Sequence, residues 1–447
     1  MTGNRIVQLT IFFLIMLCLA VEPKTYASST KPEDSGNIPD VLIGFHTEKS
    51  KAYALLVDKN IQRIYFYDCS DGFKKIFSMQ CSTGKIPGPK NISGDQKTPE
   101  GVYFFTNEFA DQELSATYGL KAFPMDYPNF LDRAKGRNGH SIWLHGTDKQ
   151  LKARNSNGCV ALQNSDLQKL SKYITLNRTP IIIREKLSYI SDDLRKKAEK
   201  TVLHFLEAWE TALLSGTYHQ YLSLYDPEYL PVITWWPKWH KLRSSFSTSG
   251  APLHVELKNT SILKIDSIYV VLSDLTVNYD NKETYICTKK IFIRSQAGQI
   301  NVIGEEYQSI PENFKTDAYG SPLTAACGKI IKTMNADREI PVMIEEWLQA
   351  WSQKKIKAYG NYYAQDFMSE GMNKAKWLKK KTALNRKYKY IKVKKDNLKI
   401  SRAKNIKKVS FIQTYKSDKY KAVGRKKLLL KLEKGNWKIY RESWAGL

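Results

Sequence analysis

Past Val21 the 447-residue chain has no apolar run approaching the ~20 residues that a membrane-spanning helix requires, which excludes a bundle of spanning helices. Acidic residues are scarce: 44 Asp and Glu face 70 Lys and Arg, a formal charge of +26. That imbalance argues for anionic partners or for a lysine-rich surface kept soluble by self-repulsion. The seven histidines are scattered, and neither Cys-x-x-Cys nor His-Glu-x-x-His occurs, so no metal site is expected. A glycine-rich phosphate cradle is missing too, and no cofactor is expected. Cysteine is rare, at six.

What is present begins at the N-terminus. Arg5, the apolar run Ile6–Val21 and the small-residue stretch ending Thr25-Tyr26-Ala27 read as a secretory signal cut after Ala27. An uncleaved anchor is the alternative. Export disfavours nucleic acid as a partner and predicts a periplasmic or cell-envelope protein with no membrane span after cleavage. Five cysteines then remain, an odd number in a disulfide-permissive compartment. Cys69 with Cys81, and Cys287 with Cys327, are possible pairs that would leave Cys159 free, although spacing alone does not fix connectivity.

Composition divides the remainder. Residues 28–40 are polar, with Pro and Gly, and read as a linker. Residues 41–190 are β-rich, with strand-like runs at 54–57, 61–67, 101–105, 141–145 and 180–184 and a helix expected over 165–173 with Asn164 or Ser165 as N-cap. Residues 195–310 and 337–447, separated by a linker over 311–336, look like two copies of one unit. Phe205-Leu206-Glu207-Ala208-Trp209 matches Trp347-Leu348-Gln349-Ala350-Trp351, Tyr221 matches Tyr363, and Trp239 matches Trp377. Gly298 and Glu305 match Gly435 and Glu442. Each copy opens with helical periodicity and closes in strand-like runs, which predicts an α+β fold with a helix laid on a curved antiparallel sheet. Both copies resemble the cone-shaped domains of the nuclear transport factor 2-like family. Trp209, Trp239, Trp351 and Trp377 read as core.

The chemistry sits in Trp143-Leu144-His145-Gly146-Thr147 and Ser156-Asn157-Gly158-Cys159. A thiol becomes a nucleophile when a neighbouring imidazole takes its proton. A separation of fourteen residues lets a strand carrying His145 loop back to deliver Cys159 beside it. The Gly146 carbonyl can orient the imidazole, Gly158 permits a tight turn, and the Gly158 and Cys159 amides can face an oxyanion. The following helix would lower the thiol pKa through its dipole.

With Gly94-Asp95-Gln96-Lys97-Thr98-Pro99-Glu100-Gly101 upstream, these motifs resemble, over about 50–185, the L,D-transpeptidase catalytic domain of YkuD type. The resemblance implies a mainly β, sandwich-like catalytic domain with a few helices. It implies Cys159 as nucleophile, His145 as base, Gly146 as its orienter, and Ser156, Asn157 and Gly158 as the oxyanion turn. The implied substrates are peptidoglycan stem peptides, cut through an acyl-enzyme. Two positions depart from the family pattern: Asn157 stands where a second histidine is usual, and Ala161 where arginine is common. The segment 122–140 resembles the YafK-like branch, which includes L,D-carboxypeptidases, so a hydrolytic outcome is the alternative to transfer, and a non-catalytic wall-binding scaffold is a third reading. Arg154, Arg133, Lys149 and Lys152 are candidates for holding substrate carboxylates, and Tyr127 and Trp143 for lining the cleft. His140 and His46 read as structural. The basic stretch 374–395 suits anionic envelope polymers or other wall enzymes.

Overall fold

A computed structural model describes residues 37–48, 51–229, 231–247, 252–317, 320–403 and 406–447. The expected leader, Cys18 and the first part of the 28–40 linker lie outside the described residues. The end of that linker is ordered: Asn37–Pro39 is a strand paired antiparallel with Tyr189–Ser191.

Residues 53–184 form two facing sheets. The first runs in the order Lys74–Gln80, Arg63–Asp68, Tyr53–Asp58, Pro180–Arg184, Gly101–Phe104. Its Pro180–Arg184 strand lies parallel to Tyr53–Asp58 and antiparallel to Gly101–Phe104. The second runs Val160–Gln163, Trp143–Thr147, Lys121–Pro124, Phe109–Ala110, with Val160–Gln163 parallel to Trp143–Thr147. Alternate side chains of a strand point to opposite faces. Leu144, Val160, Leu162 and Phe123 therefore turn inward onto Leu55, Val57, Phe66, Ile181 and Ile183 of the first sheet.

The first sheet is buried on both faces, which is why Ile181-Ile182-Ile183 is continuously apolar. Its outer face, with Ala54, Leu56, Val102, Phe104 and Ile182, packs on Leu263, Ile265, Val270, Leu272 and Phe292 of the first cone. Leu42–His46, expected within the catalytic segment, completes the first cone's sheet instead, pairing antiparallel with Leu253–Ile265. Arg178 to Asp274, Arg133 to Glu306 and Lys290 to Asp126 add ion pairs across the same boundary.

Each cone is a helix layer on an antiparallel sheet. In the first, Asp192–Leu214 places Val202, Phe205, Leu206, Trp209 and Leu213 on one stripe facing strands Leu253–Ile265, Ile268–Tyr279, Lys282–Gln296 and Gln299–Ser309. In the second, Pro322–Ser352 and Lys374–Lys387 cover strands Ile391–Ala403, Ile406–Ser417, Lys421–Glu433 and Asn436–Gly446. The expected 311–336 linker is largely helical. Pro322–Ser352 begins in the first core through Leu323, Ala326 and Cys327, and ends in the second through Ile340, Ile344, Trp347 and Trp351.

The helical register of the repeat is one turn from the expected one. Trp209 Nε1 donates to Tyr225 OH at 3.0 Å, and Trp347 Nε1 to Tyr363 OH at 3.2 Å. Tyr225 OH donates to Glu305 at 2.8 Å and Tyr363 OH to Glu442 at 2.7 Å. Trp209 thus corresponds to Trp347 rather than Trp351, and Tyr363 to Tyr225 rather than Tyr221. Residues four apart share a helix face, so the apolar pattern alone allowed either register.

All five described cysteines are free, in place of the two pairs considered above. Cys69 and Cys81 lie in different cores, on opposite sides of the first sheet, which prevents a bridge between them. Cys287 and Cys327 share the first cone's core as separate buried thiols.

Candidate active site

The second sheet presents the site on its outward face. Leu144 and Val160 are register partners pointing inward, so Trp143, His145, Cys159 and Ala161 all point outward. Cys159 immediately precedes the Val160–Gln163 strand, which lies parallel to the one that carries His145. His145 is 6% exposed, and its Nδ1 lies 2.8 Å from the Gly146 carbonyl oxygen. A carbonyl only accepts, so Nδ1 carries the proton and Nε2 keeps its lone pair. Burial pulls the imidazole below its ordinary value, with the Gly146 bond opposing in part.

The Cys159 thiol, half-buried, donates to the Ser141 carbonyl at 3.5 Å. Burial pushes the thiol up, and the Trp143 amide and Lys90 charge offset only part of the rise. The expected lowering by a helix dipole has no geometric basis. Asn164–Ser171 begins only after the Val160–Gln163 strand, and its N-cap is Gln163 rather than Asn164 or Ser165. Both shifts favour the neutral forms, thiol and imidazole.

Ser156 organises the turn before the cysteine. Its Oγ donates to the Cys159 carbonyl at 2.6 Å and accepts the Gly158 N–H at 3.1 Å. The Gly158 amide is thus already engaged, in contrast to the expectation that it faces an oxyanion alongside Cys159 N–H. Gly158 has φ +134°, and a Cβ there would lie 2.9 Å from the Lys97 carbonyl oxygen. Asn157 is exposed and accepts from Lys85 Nζ at 3.0 Å.

The Gly94–Gly101 segment frames this turn. Asp95 accepts from Lys90 Nζ at 2.7 Å and from the Asn91, Ile92 and Lys97 amides. Burial alone would raise its carboxyl, but these bonds hold it at about 2. Thr98 Oγ1 accepts the Gly84 N–H at 2.8 Å, and Gly84 bridges to Ser156. The segment thereby fixes the Lys97 carbonyl against Gly158.

The proposed substrate contacts are mostly engaged elsewhere. Arg133 pairs with Glu306 of the first cone and donates to the Pro128 carbonyl at 2.6 Å. Arg154 pairs with Glu185 at 2.7 Å. Tyr127 is buried against Tyr103 and donates to the Asn138 carbonyl at 3.1 Å, so it is core. Trp143 does border the site, with the Tyr118 ring tilted against it at 4.8 Å. Lys149 and Lys152 are exposed in the loop before the cysteine. His140 contacts Ser141 Oγ at 2.8 Å, and His46 pairs with Glu199 at 3.1 Å.

Two residues around the His145–Gly146 peptide were not read as site residues from the sequence. Tyr118 meets its ring edge-on at 5.1 Å. Asn164 Oδ1 accepts the Leu120 N–H at 3.1 Å and fills the space where a Cβ on Gly119 or Gly146 would go. It locks the Tyr118–Leu120 turn against the Gly146 peptide. Both lie outside the motifs, and only the folded register brings them to the imidazole.

This geometry has a counterpart among known families: residues 52–183 match the L,D-transpeptidase catalytic domain of the YkuD family, and residues 339–443 match the Cds6 C-terminal NTF2-like domain. Among particular proteins, the chain is similar to YafK of Escherichia coli (strain K12), named for the L,D-transpeptidases, and to YafK of strain O157:H7. Each is 32% identical over 88 residues, which cover 20% of this chain and 32% of the relative. The chain thus spans about a third of the curated relatives it matches. Among solved structures it is similar to Bd1075 of Bdellovibrio bacteriovorus, at 21% identity over 92% of this chain and 99% of that one, TM-score 0.35. It is also similar to the helical cell shape determining protein Pgp2 of Campylobacter jejuni, at 22% identity over 60% of this chain and 96% of that one, TM-score 0.46. Among the described residues no helix is long and apolar enough to cross a membrane.

Proposed function

We propose that this chain is an exported cysteine L,D-transpeptidase that remodels peptidoglycan stem peptides through a Cys159 acyl-enzyme. The observation that carries the reading is the contact of His145 Nδ1 with the Gly146 carbonyl oxygen. With Nδ1–H held by Gly146, the basic Nε2 shares the outward face with the Cys159 thiol.

From a neutral pair, the proton passes from Sγ to Nε2 as sulfur attacks the carbonyl of the L-configured centre joined to D-alanine. The carbonyl oxygen becomes an oxyanion beside the Cys159 N–H. Collapse breaks the amide bond, and the His145 imidazolium gives its proton to the departing D-alanine amine. A side-chain amine of a second stem, losing a proton to His145, then takes the acyl group and frees the thiol; water in its place gives hydrolysis. Ser156 holds the turn that presents Cys159, and exposed Lys149 and Lys152 supply positive charge near the stem carboxylates. The leader reading of residues 1–27 supports export to the periplasm or cell envelope.

The deciding experiment incubates the full chain and its Cys159→Ala variant with tetrapeptide-rich muropeptides and reads the products by mass. Cross-linked dimers that vanish in the variant are expected. Tripeptide plus free D-alanine would instead assign the chain to the carboxypeptidases, a reading favoured by the YafK-like segment. Unchanged substrate with both proteins would leave a scaffold as the better account.

A further inference from the structure

The two cones use the same sheet face in opposite ways. Strands Ile268–Tyr279 and Ile406–Ser417 occupy equivalent places, so Val270 and Leu272 correspond to Lys408 and Ser410. In the first cone the face turned away from the helices carries Leu263, Val270, Leu272 and Phe292 and is buried against the outer face of the first sheet. In the second cone, Val393, Val409, Phe411, Leu428 and Leu430 turn to the helices. Alternation then sends Lys392, Lys394, Lys399, Lys408, Lys416, Lys421, Arg425, Lys427 and Arg441 to the opposite face. All nine are exposed, and the acids that alternation places on that face are Asp396 and, at its far end, Glu433, which pairs with Lys431. None of the nine forms an ion pair with a carboxylate among the described residues.

The register makes this arrangement costly. Lys392, Lys416 and Lys421 stand directly opposite one another across three strands, and like charges in that relation are destabilising. Edge protection accounts for lysines on the outer Ile391–Ala403 strand. It does not account for Lys408, Lys416, Lys421, Arg425 and Lys427, which lie on the two central strands. Strands sit ~4.8 Å apart and every second residue along a strand is ~6.7 Å further on, so the cations form a closely spaced grid.

We propose that this face is a docking surface for a linear polymer bearing phosphate groups, which holds the second cone while the catalytic domain works elsewhere. Repeated negative charge is the chemistry that relieves a grid of like cations. Seven of the nine are lysines, compact point charges that bind phosphate without the fixed geometry of an arginine fork. Irregular register between Asp396 and Lys399, and between Leu429 and Leu430, marks bulges that increase the twist of the sheet. A twisted face meets a flat bilayer at few points, whereas a flexible chain follows it.

The test measures binding of the full chain to fluorescent long-chain polyphosphate between 50 and 200 mM salt. The face variant is Lys392→Gln/Lys416→Gln/Lys421→Gln; the control, Lys172→Gln/Lys200→Gln/Lys241→Gln, removes the same net charge at exposed sites elsewhere. The face variant should bind at least about tenfold more weakly, with a log–log salt slope shallower by roughly 2, since each lost contact contributes ~0.7–0.9. It should melt no lower than the parent, because it removes in-line repulsion, while the control should bind as the parent does. Equal losses in the two variants would reduce the effect to diffuse net charge. Equal or tighter binding to poly-glutamate, or to vesicles containing phosphatidylglycerol, would replace the phosphate polymer by a carboxylate one or by a membrane. Absence of polyphosphate binding at 50 mM salt would overturn the proposal outright.

Discussion

Replacing Gly158 by alanine separates two ways in which a glycine can matter. At φ +134° the alanine backbone is strained by ~1–3 kcal/mol. Its Cβ would also sit 2.9 Å from the Lys97 carbonyl oxygen. That carbonyl has little room to retreat, because the Lys97 N–H donates to Asp95 and Thr98 Oγ1 holds the Gly84 N–H. Forcing extra atoms into packed surroundings costs another ~1–3 kcal/mol, so a loss of about 4 kcal/mol is expected. At ~2–4 °C per kcal/mol the melting point should fall by roughly 8–16 °C. Relief of the clash displaces the next residue, Cys159, and a shift of ~1 Å at a nucleophile costs on the order of a hundredfold in rate. Gly94→Ala is the comparison: φ is +79°, and nothing lies within 4 Å of its Cβ position. Only the left-handed penalty of about 1 kcal/mol should remain, with turnover within a few-fold of the parent. Thermal melts with D-alanine release from muropeptides measure both quantities. Equal melting losses for the two variants, or parental turnover in Gly158→Ala, would refute the steric reasoning.

Two further expectations concern charge. Catalysis requires neutral His145, whose value burial holds below the ordinary ~6.5, so the rate should fall on acidification only below pH 6.5. The same depression makes the unfolded chain bind more protons, so this group's contribution to stability declines as pH falls through ~6.5. A rate profile with its acid limb above pH 7 would contradict the assignment. In the first cone Lys289 pairs with Glu305 at 2.8 Å, both side chains being nearly enclosed. Lys289→Met should cost ~3–5 kcal/mol by stranding the carboxylate, and Lys289→Met/Glu305→Gln should recover much of it in chemical denaturation; a double variant as unstable as the single one would point to lost packing instead.

The sequence carried the active-site motifs because their spacing is local. His145 and Gly146 lie on one strand and Cys159 at the end of the loop that leads into the next, and the Gly146 carbonyl beside His145 meets Nδ1. What it did not carry was long-range. Arg133 and Arg154 look like free cations in the sequence, but Glu306 and Glu185 claim them after folding. Leu42–His46 reads as any half-buried strand, and only the first cone's open sheet edge, some two hundred residues on, decides where it goes. Tyr118 carries no local signature and Asn164 reads only as a helix cap, because their place beside Gly146 depends on the tight approach of Gly119 to Gly146.

That early strand bears on how the protein is made. His46 pairs with Thr260, so Leu42–His46 leaves the ribosome before the whole catalytic segment and waits for a partner not yet synthesised. At ~5–20 residues per second the wait is on the order of 10–40 s. Through that interval the outer face of the first sheet, with Leu56, Val102 and Phe104, also lacks its cover. The catalytic half therefore completes its burial only after the first cone has emerged, and a chain truncated near residue 190 would keep its active-site motifs while exposing that apolar face.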